Sequence, residues 1–224
     1  MADDAQPEGH DRARGAAREA LVRTVAREGV RDRAVLEAMA AVPRELFVDP
    51  SDAASAYDDH PLPIGHGQTI SQPFIVALMA EAAELSGAGR VLEIGAGSGY
   101  AAAVFAQLTS EVYGVERDRR LVERARLALS RAGETRVTLR WGDGNEGWPE
   151  HAPYDAILVS AAAETIPEAL FQQLAVGGRL VAPIGDPAGM HQELRRWRKR
   201  APQRVDEETL CAVRFVPLRA GIVG

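Results

Sequence analysis

Residues 90–100 read RVLEIGAGSGY. Val91, Leu92 and Ile94 form a short apolar run of strand length. Gly95, Gly97 and Gly99 follow at alternate positions, and Tyr100 to Leu108 reads as a helix. A glycine turn between a strand and a helix lets main chain approach a ligand closely. It also aims free N–H groups of the helix start at that ligand. The dinucleotide fingerprint G-x-G-x-x-G requires its third glycine three residues after the second. Tyr100 stands there, which disfavours a nicotinamide dehydrogenase. Glu93, two residues before Gly95, suits a cationic amino-acid group better than a pyrophosphate.

Working outward, Glu111 to Val115 reads as a second strand ending at Glu116, 21 positions after Gly95. A carboxylate there accepts hydrogen bonds from ribose hydroxyls. Asp118 to Arg131 is a helix with Leu121, Val122, Ala125 and Leu129 on one side. Val137 to Trp141 is a third strand, and Asp143 of the following WGDG can meet an adenine edge. An amino acid, a ribose and an adenine together describe S-adenosylmethionine. Two more strands, 155–160 and 179–184, flank a helix at 167–174. Strands alternating with helices imply a parallel sheet covered on both faces. The expected fold is therefore α/β: a Rossmann-like, doubly wound, mostly parallel sheet. Segments 192–200 and 209–218 read as a C-terminal strand pair, antiparallel to each other.

Residues 1–15 are polar and read as a flexible tail. Residues 16–86 hold N-terminal helices and a substrate loop, and 87–224 the cofactor-binding core, in one structural domain. Leu21, Val22 and Val25 share a helical face that Gly29 closes. Asp32 caps a second helix, and Arg44 to Val48 is a short turn. Tyr57 to Pro73 is a loop, long enough to suggest function. Ser71 then precedes a helix over 73–85, where spacing alone reads it first as an N-cap.

The chain has 224 residues, with 26 basic against 32 acidic ones and a net charge of −6. It lacks the basic footprint of a nucleic-acid binder. Its apolar runs fall far short of the ~20 residues that span a bilayer. The polar opening stretch has no signal-peptide character, and the single cysteine, Cys211, excludes an internal disulfide. A cytoplasmic, membrane-free protein is expected. His60 and His66 lack metal-ligand spacing, so no metal is expected. The basic run around Trp197 reads as a solvated strand face, or less directly as a lure for acidic peptides.

EIGAGSGY at 93–100, Glu116 and GDG at 142–144 resemble class I S-adenosylmethionine-dependent methyltransferases. Three further stretches narrow the resemblance: LPIGHGQTISQP at 62–73, VRFVPL at 213–218 and AVPRELFVD at 41–49. They are similar to the protein-L-isoaspartate (D-aspartate) O-methyltransferase family, from about Val35 to Leu218. The resemblance implies methyl transfer from S-adenosylmethionine to the free α-carboxylate of L-isoaspartyl residues in damaged peptides and proteins. It leaves S-adenosylhomocysteine and an ester that closes to a succinimide, initiating repair. It implies a cofactor site of Glu93, Gly95, Gly97, Ser98, Gly99, Tyr100, Glu116, Asp143 and Gly144. Ser71 and Thr69 would be catalytic, and Gln72, Val213, Arg214 and Phe215 would bind substrate, the last three by main-chain pairing. The enzyme is expected to be a monomer. A carboxylate is already ionised at pH 7, so the reaction needs alignment rather than a base. Two rivals share the cofactor loop: a pathway-dedicated aspartyl O-methyltransferase acting on one peptide, and a non-catalytic cofactor-binding protein.

Overall fold

The computed structural model describes residues 7–186 and 191–224. The first helix, α1, spans Pro7–Glu28. The expected tail is thus helical over residues 7–15, while residues 1–6 lie outside the described ones. Proline suits a first helical turn, and no β-branched residue interrupts 7–20, so the helix extends cheaply from the docked face of Leu21 and Val25. Helix α2 spans Arg33–Ala41, capped by the Asp32 carboxylate, which accepts from the N–H of Ala34 at 2.8 Å. Two 3-10 turns follow, Arg44–Phe47 and Pro50–Ser55.

Where a loop was expected, β1 (Leu62–Gly65) and β2 (Gln68–Ile70) form an antiparallel hairpin. Leu62, Ile64 and Ile70 point inward and are buried. The turn carries Gly65, His66 and Gly67 at φ 84°, 55° and 70°. Prolines and a short run obscured this period-two pattern in the sequence. Helix α3 spans Pro73–Ala82, and Ser71 is not its cap. The Asp59 carboxylate instead accepts from the N–H of Phe74 at 2.8 Å and from the Gln72 amide at 2.7 Å.

The remaining elements are β3 (Arg90–Ile94), α4 (Tyr100–Ala106), β4 (Glu111–Glu116), α5 (Arg119–Arg131), β5 (Val137–Trp141), β6 (Tyr154–Val159), α6 (Glu168–Gln173), β7 (Leu174–Gly185), β8 (Gln192–Ala201) and β9 (Arg204–Val213). They build a seven-stranded sheet in the order β5-β4-β3-β6-β7-β8-β9. The first five in that order run parallel, and β8 and β9 close it antiparallel. One apolar core runs from Leu21 of α1 to Leu194 of β8, and a second lies around Leu92, Ile94, Ile157 and Trp197. Strand β3 is covered on both faces, as a central parallel strand must be. The chain reverses direction across the sheet between β3 and β6, which opens a crevice at their carboxyl ends.

The last strand starts and ends earlier than expected. Arg195 pairs with Glu207 at 2.7 Å, Arg200 with Asp206 at 2.6 Å, and Arg196 with Glu208. The basic run is thus half of a charged zipper that holds β9 on β8. Arg214 to Leu218 then leaves the strand. Buried Gln192 holds Phe215 by both its N–H and its carbonyl, at 2.7 and 3.2 Å. The segment returns to the crevice, where Val216 accepts from the N–H of Ala162 at 2.8 Å. Among the described residues no helix is long and apolar enough to cross a membrane.

Candidate active site

Gly95, Gly97 and Gly99 adopt φ of 80°, 53° and 84°, a region that L side chains rarely occupy. A side chain at Gly97 would also press on Ile64, and one at Gly99 on Ala125, at 3.3 and 3.2 Å. The turn floors a cavity of about 300 Å³ at the carboxyl ends of β3, β4 and β6. Ile94, Gly95, Glu116 and Ser160 line it from the sheet, with Ile64 and Thr69 of the hairpin facing them.

Glu93 is fully buried beneath this turn. One oxygen accepts from the Ser160 hydroxyl at 3.1 Å, and the other has no partner among the described residues. Burial pushes its pKa up to about 8, with the Ser160 bond too weak to offset it and Glu116 adding to the rise. An orphaned, buried carboxylate oxygen is a fitting partner for a ligand ammonium. Glu116 is buried too. Its oxygens accept from the N–H of Asp118 and of Gly97, each at 2.9 Å. Burial raises its pKa despite those amide donors. Each oxygen keeps a lone pair for a hydroxyl.

The third acidic station behaves differently. Asp143 does not line the cavity. Its carboxylate accepts from the N–H of Asn145 at 2.9 Å and of Gly221 at 2.6 Å. Burial works against ionisation there, but the amides of Gly221 and Asn145 prevail and hold its pKa below the usual range. Gly144 does line the cavity, and a Cβ there would sit 2.5 Å from Ile94 Cγ2. Ser98 and Tyr100 join Glu93 and Ser71 around a smaller recess.

A second cavity, of about 460 Å³, brings together Thr69, Ser71, Gln72, Val213, Arg214 and Phe215. It shares Thr69, Ser160 and Val216 with the first. The hydroxyls of Thr69 and Ser71 make no hydrogen bond among the described residues. With Phe215 main chain engaged by Gln192, main-chain pairing there is blocked and the residue serves as wall. Ser160 and Arg44 escape the sequence reading as site residues, and His66 figures there only as a candidate metal ligand. Ser160 directly follows β6 beside the crevice, a position that topology alone marks as a ligand contact. His66 pairs with Asp118 at 2.9 Å, tying the hairpin to the start of α5. Arg44, fully buried, donates to the Ser71 carbonyl at 3.0 Å.

Residues 16–222 match the family described as protein-L-isoaspartate(D-aspartate) O-methyltransferase. The chain belongs to this family. A protein-L-isoaspartate O-methyltransferase of Methylorubrum extorquens is 55% identical over 212 residues, 95% of this chain and 91% of that one. Protein-L-isoaspartate O-methyltransferase 2 of Pelobacter propionicus is 56% identical over 190 residues, 85% of this chain and 84% of the relative. A solved protein-L-isoaspartate O-methyltransferase superposes with a TM-score of 0.83 at 33% identity, covering 92% of this chain and 67% of that one. A second solved structure, a Plasmodium falciparum protein in complex with S-adenosyl-L-homocysteine, has a TM-score of 0.78 at 26% identity, covering 90% and 98%. Protein-L-isoaspartate O-methyltransferases use S-adenosylmethionine. The orphaned Glu93 oxygen, the side-chain-free turn and Glu116 fit that cofactor.

Proposed function

We infer that the chain methylates the free α-carboxylate of L-isoaspartyl residues in peptides and proteins, initiating their repair. The observation that carries this reading is the meeting of two cavities at Thr69, whose hydroxyl, like that of Ser71 in the second cavity, is unengaged among the described residues. S-adenosylmethionine, when bound, supplies an electrophilic methyl group on a sulfonium. Glu93 holds the ammonium and Glu116 the ribose hydroxyls, while Gly95, Gly97 and Gly99 let main chain close on both. Ser98, Tyr100 and Gly144 complete the cofactor walls, and Asp143 braces the last of these through Asn145 and Gly221. Ser71 and Thr69 donate to the substrate carboxylate and aim one oxygen along the line of displacement. No proton is removed, since the carboxylate is ionised at neutral pH. Alignment supplies the acceleration, up to ~7–11 kcal/mol in favourable cases.

Val213, Arg214 and Phe215 wall the peptide groove, with the substrate backbone along the outer edge of β9 near Val213. Gln72, held by Asp59, closes its other side. An isoaspartyl residue differs from aspartyl by one methylene in where its carboxylate hangs, which a fixed pair of hydroxyls can sense. The enzyme acts as a monomer in the cytoplasm, and its net charge of −6 disfavours nucleic acid as a partner. Tritiated S-adenosylmethionine offered with paired isoaspartyl and aspartyl peptides of one sequence tests the reading. Label should enter the isoaspartyl peptide alone. Equal labelling of both, or of a single larger peptide only, would favour the pathway-dedicated reaction. No labelling of any would leave a cofactor-binding protein.

A further inference from the structure

Arg44 is a buried guanidinium that makes no salt bridge among the described residues, although Tyr100 and, more weakly, the Asp59 carboxylate favour its charge against the cost of burial. Its side chain is fully buried, and Nε and Nη1 have no hydrogen-bond partner among the described residues. Nη2 donates to the Ser71 carbonyl at 3.0 Å. The guanidinium carbon lies 4.6 Å from the centroid of the Tyr100 ring. A buried cation so sparsely paired is costly, and an apolar side chain of similar length fills the same space at lower cost. What the guanidinium adds is rigidity between two places. Tyr100 opens α4 directly after the glycine turn. The Ser71 carbonyl fixes the peptide plane that precedes Gln72 and Pro73. That plane holds the backbone from which the Ser71 hydroxyl projects, a hydroxyl that no cap bond holds. Asp59 anchors the next residues of the same segment, at Gln72 and Phe74.

We propose that Arg44 is a positioning residue that fixes Ser71 relative to the glycine turn, and thereby sets the line between methyl donor and carboxylate. This rests on the reading that Ser71 aligns the carboxylate. The planar fork lies across the Tyr100 ring and reaches the carbonyl from there, a geometry that a point-charge ammonium reproduces only in part.

The test combines Arg44→Met, Arg44→Lys, Ser71→Ala and the double variant Arg44→Met/Ser71→Ala. Turnover of an isoaspartyl peptide and S-adenosylhomocysteine affinity by calorimetry are measured on each. Arg44→Met should lower kcat roughly ten- to hundred-fold, as lost charged hydrogen bonds and small misplacements do. Cofactor affinity should stay within about three-fold, and Arg44→Lys should recover part of the rate. In the Ser71→Ala background, Arg44→Met should slow turnover by less than about two-fold, because partners acting as one unit are not additive. A full multiplicative loss in the double variant overturns the proposal. So does a cofactor affinity that falls in step with kcat, which would place the action at Tyr100. Failure of both Arg44 variants to fold assigns the residue to the core and overturns it as well. A fully active Ser71→Ala would instead refute the role of Ser71 itself, whatever the Arg44 variants do.

Discussion

Glu93 offers the sharpest quantitative test of the cofactor site. Its pKa near 8 leaves it roughly nine-tenths protonated at pH 7 and about 99% protonated at pH 6. The ligand's α-ammonium, with a pKa of ~7.7–8.0, stays largely charged over that interval. If the bound state pairs ionised Glu93 with that ammonium, apparent affinity follows the ionised fraction of Glu93. S-adenosylhomocysteine should then bind about ten-fold, or ~1.4 kcal/mol, more tightly at pH 7 than at pH 6. Binding at pH 7 should release about 0.8 proton, the loss from Glu93 less a small uptake by the ammonium. Calorimetry in buffers of different ionisation enthalpy measures both quantities. Glu93→Gln has no proton to lose, so its affinity should be flat between the two pH values and its proton release near zero. The same group shapes the stability of the ligand-free protein. Its folded pKa lies above the unfolded value of 4.5, so between about pH 5 and 8 the unfolded chain binds fewer protons. Stability should therefore fall as pH rises through that window, and fall less in Glu93→Gln. A wild-type affinity that does not change from pH 6 to 7, with no proton released, would refute the pairing.

If Glu116 holds the two ribose hydroxyls as proposed, charge-assisted bonds of ~1.5–3 kcal/mol each make a loss of cofactor affinity of about ten-fold or more the expected calorimetric result for Glu116→Ala. Ser71→Ala should cost ~1–3 kcal/mol in kcat with cofactor affinity kept and melting temperature nearly unchanged, since Asp59 rather than Ser71 caps α3. Asp32→Ala removes the α2 cap and should lower stability by ~1 kcal/mol, a shift of about 2–4 °C by calorimetric scanning, without touching turnover. Gly144→Ala places a methyl against Ile94 and should cost ~1–3 kcal/mol of stability together with cofactor affinity, which one thermal scan with and without S-adenosylhomocysteine reads.

The central part of this molecule is legible because its determinants are local. A buried strand, a glycine turn at positive φ and a helix lie within residues 90–106, and each element constrains the next. Glu93 and Glu116 are fixed to strand positions that the alternation of elements already places at one sheet edge. Ser98, Gly99 and Tyr100 follow by chain continuity, and residues of the family signatures at 62–73 and 213–218 line the two cavities.

Where sequence and structure part, a partner distant along the chain takes a hydrogen bond that local reasoning gave to a neighbour. The cap of α3 goes to Asp59, 15 residues before Phe74, which leaves the Ser71 hydroxyl unengaged. Asp143 turns to Gly221, 78 residues on, instead of lining the cavity. Phe215 gives both main-chain groups to Gln192, so an expected strand over 209–218 ends at Val213. The hairpin at 62–70 exists because Leu62, Ile64 and Ile70 find apolar cover, which a seventeen-residue stretch with three prolines does not advertise. The sequence by itself thus determined the parallel part of the sheet, the glycine turn, the cofactor class and the family. Only the tertiary structure decided which polar groups remain unpaired at the junction of the two cavities. Local pattern fixes backbone conformation within a few residues, but the competition for each donor and acceptor is settled by whatever the folded chain brings within 3 Å.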